Sequence, residues 1–146
     1  MSAMRTIRVL GVAAMLSGVL AGGVLATSAG AAATPKLVVT PSTGITNGKS
    51  VYVSGTGFKA KDTVYITECL ATAKGEAQCD IATATPVVIS STGVLKKTKF
   101  KLVTGTIGSG KCGTTAKNLR SCAVSAGNIA GKDTATKDIV FALPKK

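Results

Sequence analysis

From Lys36 to the C-terminus, no apolar pattern repeats at the helical period of 3.6 residues for long enough to build a helix. Short apolar and polar alternations take its place, separated by clusters of Gly, Ser, Thr, Asn and Asp, which is the pattern of strands that bury one face. Strands are expected over residues 36–41, 50–54, 63–69, 86–90, 95–103, 120–125 and 138–143. Asn47-Gly48, Gly55-Thr56-Gly57, Lys61-Asp62 and Thr92-Gly93 supply turn chemistry between them. In 95–103, Lys97, Lys99 and Lys101 project to one side and Thr98, Phe100 and Leu102 to the other, because successive side chains on a strand alternate faces. Seven strands are the complement of an immunoglobulin-like sandwich, so the expected fold is all-β and antiparallel.

The segment before these strands has a different composition. Arg5 and Arg8 precede an apolar stretch over 9–25, which gives way to the small residues of 28–33. That order is the order of a secretory signal peptide. Gly11, Ser17, Gly18, Gly22 and Gly23 interrupt the stretch, and no basic stop-transfer cluster directly follows it. Cleavage is expected after Ala33, leaving a secreted chain with no membrane span. Residues 34–146 have the size of one ordinary domain.

Four cysteines in a short exported chain point to disulfides, since the compartment outside the membrane is oxidising. Sequence permits three pairings. The local pairs Cys69 with Cys79 and Cys112 with Cys122 are the economical choice, each closing a short loop worth roughly 2 to 3 kcal/mol in the chain-entropy model. Zinc is disfavoured, because the chain has no histidine and no CxxC spacing. The leader holds two of the 18 basic side chains and none of the 6 acids, so the mature domain carries 16 basic side chains and a net charge of +10. Such an excess attracts polyanions through a field that salt screens.

Catalytic chemistry is sparse. The absence of histidine removes the commonest general base and the usual triad. Glu68 and Asp80 flank the first cysteine pair and could approach one another as the two carboxylates of a glycosidase do, but the chain has no tryptophan and few aromatics to hold a sugar ring. Gly105-Thr106-Ile107-Gly108-Ser109-Gly110-Lys111 matches a phosphate-binding loop in letters only: Cys112 stands where Ser or Thr should hold a metal, and Gly113-Thr114-Thr115 continues as loop where a helix should open. A non-enzymatic protein without metal or catalytic residues is expected. Lys97, Lys99 and Lys101 are candidate polyanion contacts. One reading is therefore a secreted basic immunoglobulin-like binding module for polyanions or cell-envelope partners.

A second reading comes from resemblance. Thr40-Pro41-Ser42-Thr43-Gly44-Ile45, Gly55-Thr56-Gly57-Phe58, Cys69 with Cys79, Ser91-Thr92-Gly93 and Cys122-Ala123-Val124-Ser125-Ala126-Gly127-Asn128 resemble, in order and spacing, the landmarks of the neocarzinostatin family. The resemblance covers nearly the whole mature chain. It implies a seven-stranded sandwich with two short-loop disulfides, secretion by a Gram-positive actinobacterial host, and a monomeric apoprotein that protects a non-covalent enediyne chromophore. Antibiotic activity would come from DNA damage by the released chromophore, with DNA reached through the ligand or directly through the basic surface.

The implied cleft lies beside the first disulfide, at Tyr65, Thr67, Ala71 and Ala77, and continues over Ala84, Ala123 and Ser125. Three of these positions depart from the pattern: Ala71 replaces a tryptophan, Ala84 a phenylalanine and Ala123 a glutamine. The aromatic-rich closing loop is shortened to 105–110. Each missing aromatic contact forfeits roughly 0.5 to 1.5 kcal/mol beyond area burial, so an aromatic chromophore is expected to bind more weakly here.

Overall fold

The computed structural model describes residues 33–143. The expected leader up to residue 32 and the basic end at 144–146 lie outside the described residues. Nine strands follow in chain order: β1 (Lys36–Thr40), β2 (Ser50–Thr56), β3 (Thr63–Leu70), β4 (Thr85–Val88), β5 (Leu95–Lys101), β6 (Gly105–Ile107), β7 (Gly110–Cys112), β8 (Cys122–Gly127) and β9 (Thr134–Ile139). Seven of them form a sandwich, with a three-stranded sheet β1-β2-β5 and a four-stranded sheet β4-β3-β8-β9, both antiparallel. The remaining two, β6 and β7, pair as a separate hairpin.

Alternation sets the core. Leu37 and Val39 of β1, Val51 and Val53 of β2, Val64 and Ile66 of β3, and Val124 and Ala126 of β8 all point between the sheets and are buried. Phe58, Phe100 and Phe141 are buried with them. Full burial of a side chain of this size contributes about 1.5 to 3 kcal/mol. All three phenylalanines of a chain that has no tryptophan and two tyrosines are thus committed to the core.

A β-bulge resolves a phase conflict in β5. Val53 of β2 pairs with Thr98 and Gly55 with Leu95, so two steps along β2 match three along β5. The extra residue turns Leu95 into the core and leaves both Lys96 and Lys97 outside, while Lys99 and Lys101 stay exposed and Phe100 inward.

The last strand differs from expectation. It spans 134–139 rather than 138–143, because Thr134 to Ile139 pair in register with Gly127 to Cys122. The Thr-Ala-Thr-Lys run looks polar, yet only Ala135 and Ile139 need face the core. Beyond it the chain crosses to the other layer: Val140 N–H donates to the Ser42 carbonyl at 2.8 Å, and Phe141 bridges Ile45 in parallel.

Candidate ligand cleft

The outward side chains of β3 and β8 make the floor of a cleft. Pairing sets Tyr65 opposite Gly127, Thr67 opposite Ser125 and Cys69 opposite Ala123. A large side chain at one end meets a glycine, and the rest of the floor is small, which leaves room above it. Cys69 is bonded to Cys79, and this disulfide ties the end of β3 to the 3-10 turn Glu76–Gln78 that forms one wall. The second disulfide, Cys112 to Cys122, joins β7 to β8 inside the core.

The resulting cleft encloses about 740 Å³, within the size range of small-molecule sites. Leu70, Ala71 and Ala73 line it on one side together with Ile81 and Ala84; Asn128, Ile129 and Gly131 lie across it, with Thr134 and Thr136 from β9. Ile81 and Ile129 are 51% and 77% exposed, large apolar side chains left open to solvent at the rim. Lys74 and Glu76 provide the charged groups at the mouth.

Both walls are held by hydrogen bonds. Asn128 donates its side-chain amide to Asp62 Oδ2 at 2.9 Å, and its own Oδ1 accepts from the backbone of Lys132 at 3.2 Å and Asp133 at 3.4 Å. This pins the loop that presents Ile129. The Asn128 amide, aided by the Thr63 N–H, holds the Asp62 carboxyl below its usual range. On the other side, Ala71 N–H donates to the Ser121 carbonyl at 2.8 Å, and Lys74 N–H to Gln78 Oε1 at 2.9 Å.

The hairpin β6–β7 braces the disulfide wall. A Cβ at Gly108, whose φ is +53°, would lie 2.6 Å from the Ala77 carbonyl oxygen and 2.6 Å from Gln78 Cα. Only a glycine permits both this left-handed backbone and this approach. Of the two glycines that imitate a phosphate-binding loop, Gly110 packs so closely that a Cβ there would lie 2.7 Å from Leu70 Cδ2, and the neighbouring Cys112 is held in a disulfide.

The expected site residues divide. Tyr65, Thr67, Ala71, Ala84 and Ser125 line the cleft. Ala77 lies in the exposed 3-10 turn behind the disulfide, and Ala123 is fully buried beside Cys69; neither lines the cleft. Lys97, Lys99 and Lys101 are exposed on β5, in the other sheet. Ile81 and Ile129 were not expected; the available signal was an isoleucine set among turn-forming residues, as in Asn128-Ile129-Ala130-Gly131.

Glu68 points into the core at 1% exposure, whereas the Asp80 carboxylate accepts from the Thr83 hydroxyl at 2.7 Å in an exposed turn, so the two do not share an open site. Ligand atoms of Glu68, Cys112 and Cys122 lie within 4.8 Å of one another, but the two sulfurs are bonded to each other.

Residues 37–141 match the neocarzinostatin family. Macromomycin of Streptomyces macromomyceticus is 31% identical over 142 residues, spanning 94% of this chain and 97% of that protein. The antitumor antibiotic C-1027 apoprotein of Streptomyces globisporus is 37% identical over 95 residues, 60% of this chain and 66% of that protein. The solved structure of macromomycin superposes with a TM-score of 0.58 at 27% identity, covering 75% of this chain and 100% of that one. Apokedarcidin, at 24% identity and a TM-score of 0.51, shares the fold. Sandwich, disulfides and sequence agree, and the chain belongs to the neocarzinostatin family.

Proposed function

We propose that this protein is an exported carrier that holds a small hydrophobic ligand of the enediyne type in the cleft between the Cys69–Cys79 wall and the Ile129 loop, shielding it from water and nucleophiles. The observation that carries this reading is the 740 Å³ cleft itself, mainly apolar in its lining, with a few hydroxyls on its floor, and braced by a disulfide. A rigid, preformed apolar pocket binds without first having to order its walls. Members of the family are carrier proteins and not enzymes, and this chain is one of them.

Export rests on the leader over 1–33, and antibacterial action on delivery of the ligand to DNA, as the family resemblance implies. The cleft's single aromatic side chain, Tyr65, suits a ligand held by shape and apolar contact rather than by extended stacking.

The test is extraction. Protein freshly purified from the medium of its native host should release an ultraviolet-absorbing compound into organic solvent, and the stripped protein should take it up again and slow its decay. Clean extracts from stable, fresh protein would overturn the reading.

A further inference from the structure

We propose that the outer face of the three-stranded sheet is a docking surface for a flexible polyol-phosphate polymer of the cell envelope, separate from the ligand cleft. The acidic residues of this molecule are segregated to one layer. The strands β1, β2 and β5 contain no acidic residue, while all six acids lie on β3, on β9 or in the loops beside them. Lys97, Lys99 and Lys101 are exposed along β5, and Lys36 is exposed on β1. Alternate residues on a strand repeat at about 6.6 to 6.8 Å. Three ammonium groups therefore stand in a row on a stiff strand, with no carboxylate among the face's own strands to compete for them.

The chemistry of the row selects its partner. Its cations are lysines, which are point charges on rotatable stems and lack the planar fork that reads a base edge. Tyr52 is the one exposed aromatic on the face, and Lys97 Nζ already sits 4.4 Å over its ring, so it offers no free platform for stacking the bases of a single strand. A straight row meets the curved phosphate path of a duplex near one tangent point. A flexible phosphodiester chain can follow the whole row. An exported chain also meets such polymers first, a setting that rests on the export reading although the contact itself does not.

Lysines on an edge strand also discourage edge-to-edge pairing. That role needs no alignment with Tyr52 and no exclusion of acids from three strands. Because the cleft opens on the outer face of the other sheet, a docked protein would keep its cleft free.

The experiment uses the mature protein, a purified glycerol-phosphate polymer, and duplex DNA at equal phosphate concentration, titrated from about 50 to about 200 mM salt. The polymer should bind more tightly than the duplex, and affinity should fall steeply with salt. Replacing Lys97, Lys99 and Lys101 by Gln should weaken polymer binding by about tenfold or more at the lowest salt, whereas the equally charged control K111Q/K117Q/K137Q should change it about threefold or less. Reductive methylation of the unaltered protein is a check that needs no variant: bound polymer should protect Lys97, Lys99 and Lys101 more than Lys111 and Lys117. Equal losses in the two triple variants, preference for the duplex, or methylation without protection would each overturn the proposal, and none of these outcomes bears on whether the cleft holds a ligand.

Discussion

Val103 donates its backbone N–H to Glu68 Oε2 at 3.0 Å, so the central strand of one sheet grips the segment just beyond the edge strand of the other through a carboxylate buried in the core. The second carboxylate oxygen, Oε1, is buried with no hydrogen-bond partner. Burial, reinforced by the nearby Asp80 charge, outweighs the Val103 bond and raises the Glu68 pKa from 4.5 to about 7.

A carboxyl that holds its proton more tightly folded than unfolded makes the protein most stable below the unfolded pKa. Stability should therefore fall as pH rises from about 4.5 through about 7. The total loss from this group is of order 3 kcal/mol. Urea unfolding at pH 4.5 and pH 8 should reveal the loss in the unaltered protein and a much flatter profile in E68Q, whose amide oxygen can still accept from Val103. Parallel profiles for the two proteins would show that Glu68 is not the titrating group.

Ile81 and Ile129 are expected to grip the ligand, since each would lose solvent contact when the cleft fills. Removing about 1 kcal/mol of apolar burial at each should make I81S/I129S bind an environment-sensitive apolar dye about 10- to 30-fold more weakly. Both side chains are exposed in the free protein, so its unfolding free energy should change by no more than about 0.5 kcal/mol. Unchanged dye affinity would place the binding surface elsewhere.

These two sites show what the sequence makes visible. Glu68, which the sequence sets beside Asp80 at the first cysteine pair, takes the core phase of β3 instead, whereas local cysteine pairing follows from loop closure and is legible one residue at a time. The bulge at Lys96 and Lys97 is not, because it depends on how β5 pairs with β2. The four-residue displacement of β9 has the same origin: its polar first half becomes strand only because β8 supplies a partner. Within the cleft, Tyr65, Thr67 and Ser125 are named by the family resemblance and share the outward phase of β3 and β8, whereas Ile129 reaches the rim through the Asn128 to Asp62 hydrogen bond that folds its loop. Register and loop anchoring are long-range relationships, and no local pattern encodes them.

Ala71 is exposed on the cleft wall and can accept a larger side chain without disturbing the core. A71W should therefore strengthen binding of an aromatic dye by about 3- to 10-fold, the range of one added aromatic contact. Affinity for a saturated alicyclic probe should rise less. Equal gains for both probes would attribute the effect to added area rather than stacking, and no gain would mean that residue 71 does not face the bound molecule.

Gly108 offers a test of how the hairpin supports the cleft. Alanine there must take up a left-handed backbone and push its Cβ against the Ala77 carbonyl oxygen and Gln78 Cα, which belong to backbone and cannot swing aside as a long side chain would. G108A should cost about 1 to 3 kcal/mol of stability. The same clash displaces the 3-10 turn Glu76–Gln78, so hydrogen exchange should quicken at the Gln78 and Cys79 N–H groups, which bond to Gly75 at 3.2 Å and Glu76 at 2.9 Å. Gly131 has a similar positive φ with nothing within 4 Å of its Cβ position, so alanine there meets backbone strain alone. G131A should consequently destabilise the protein less than G108A and leave exchange at Gln78 and Cys79 unchanged. Equal effects of the two substitutions would assign the cost to backbone conformation and remove the hairpin as a brace of the disulfide wall.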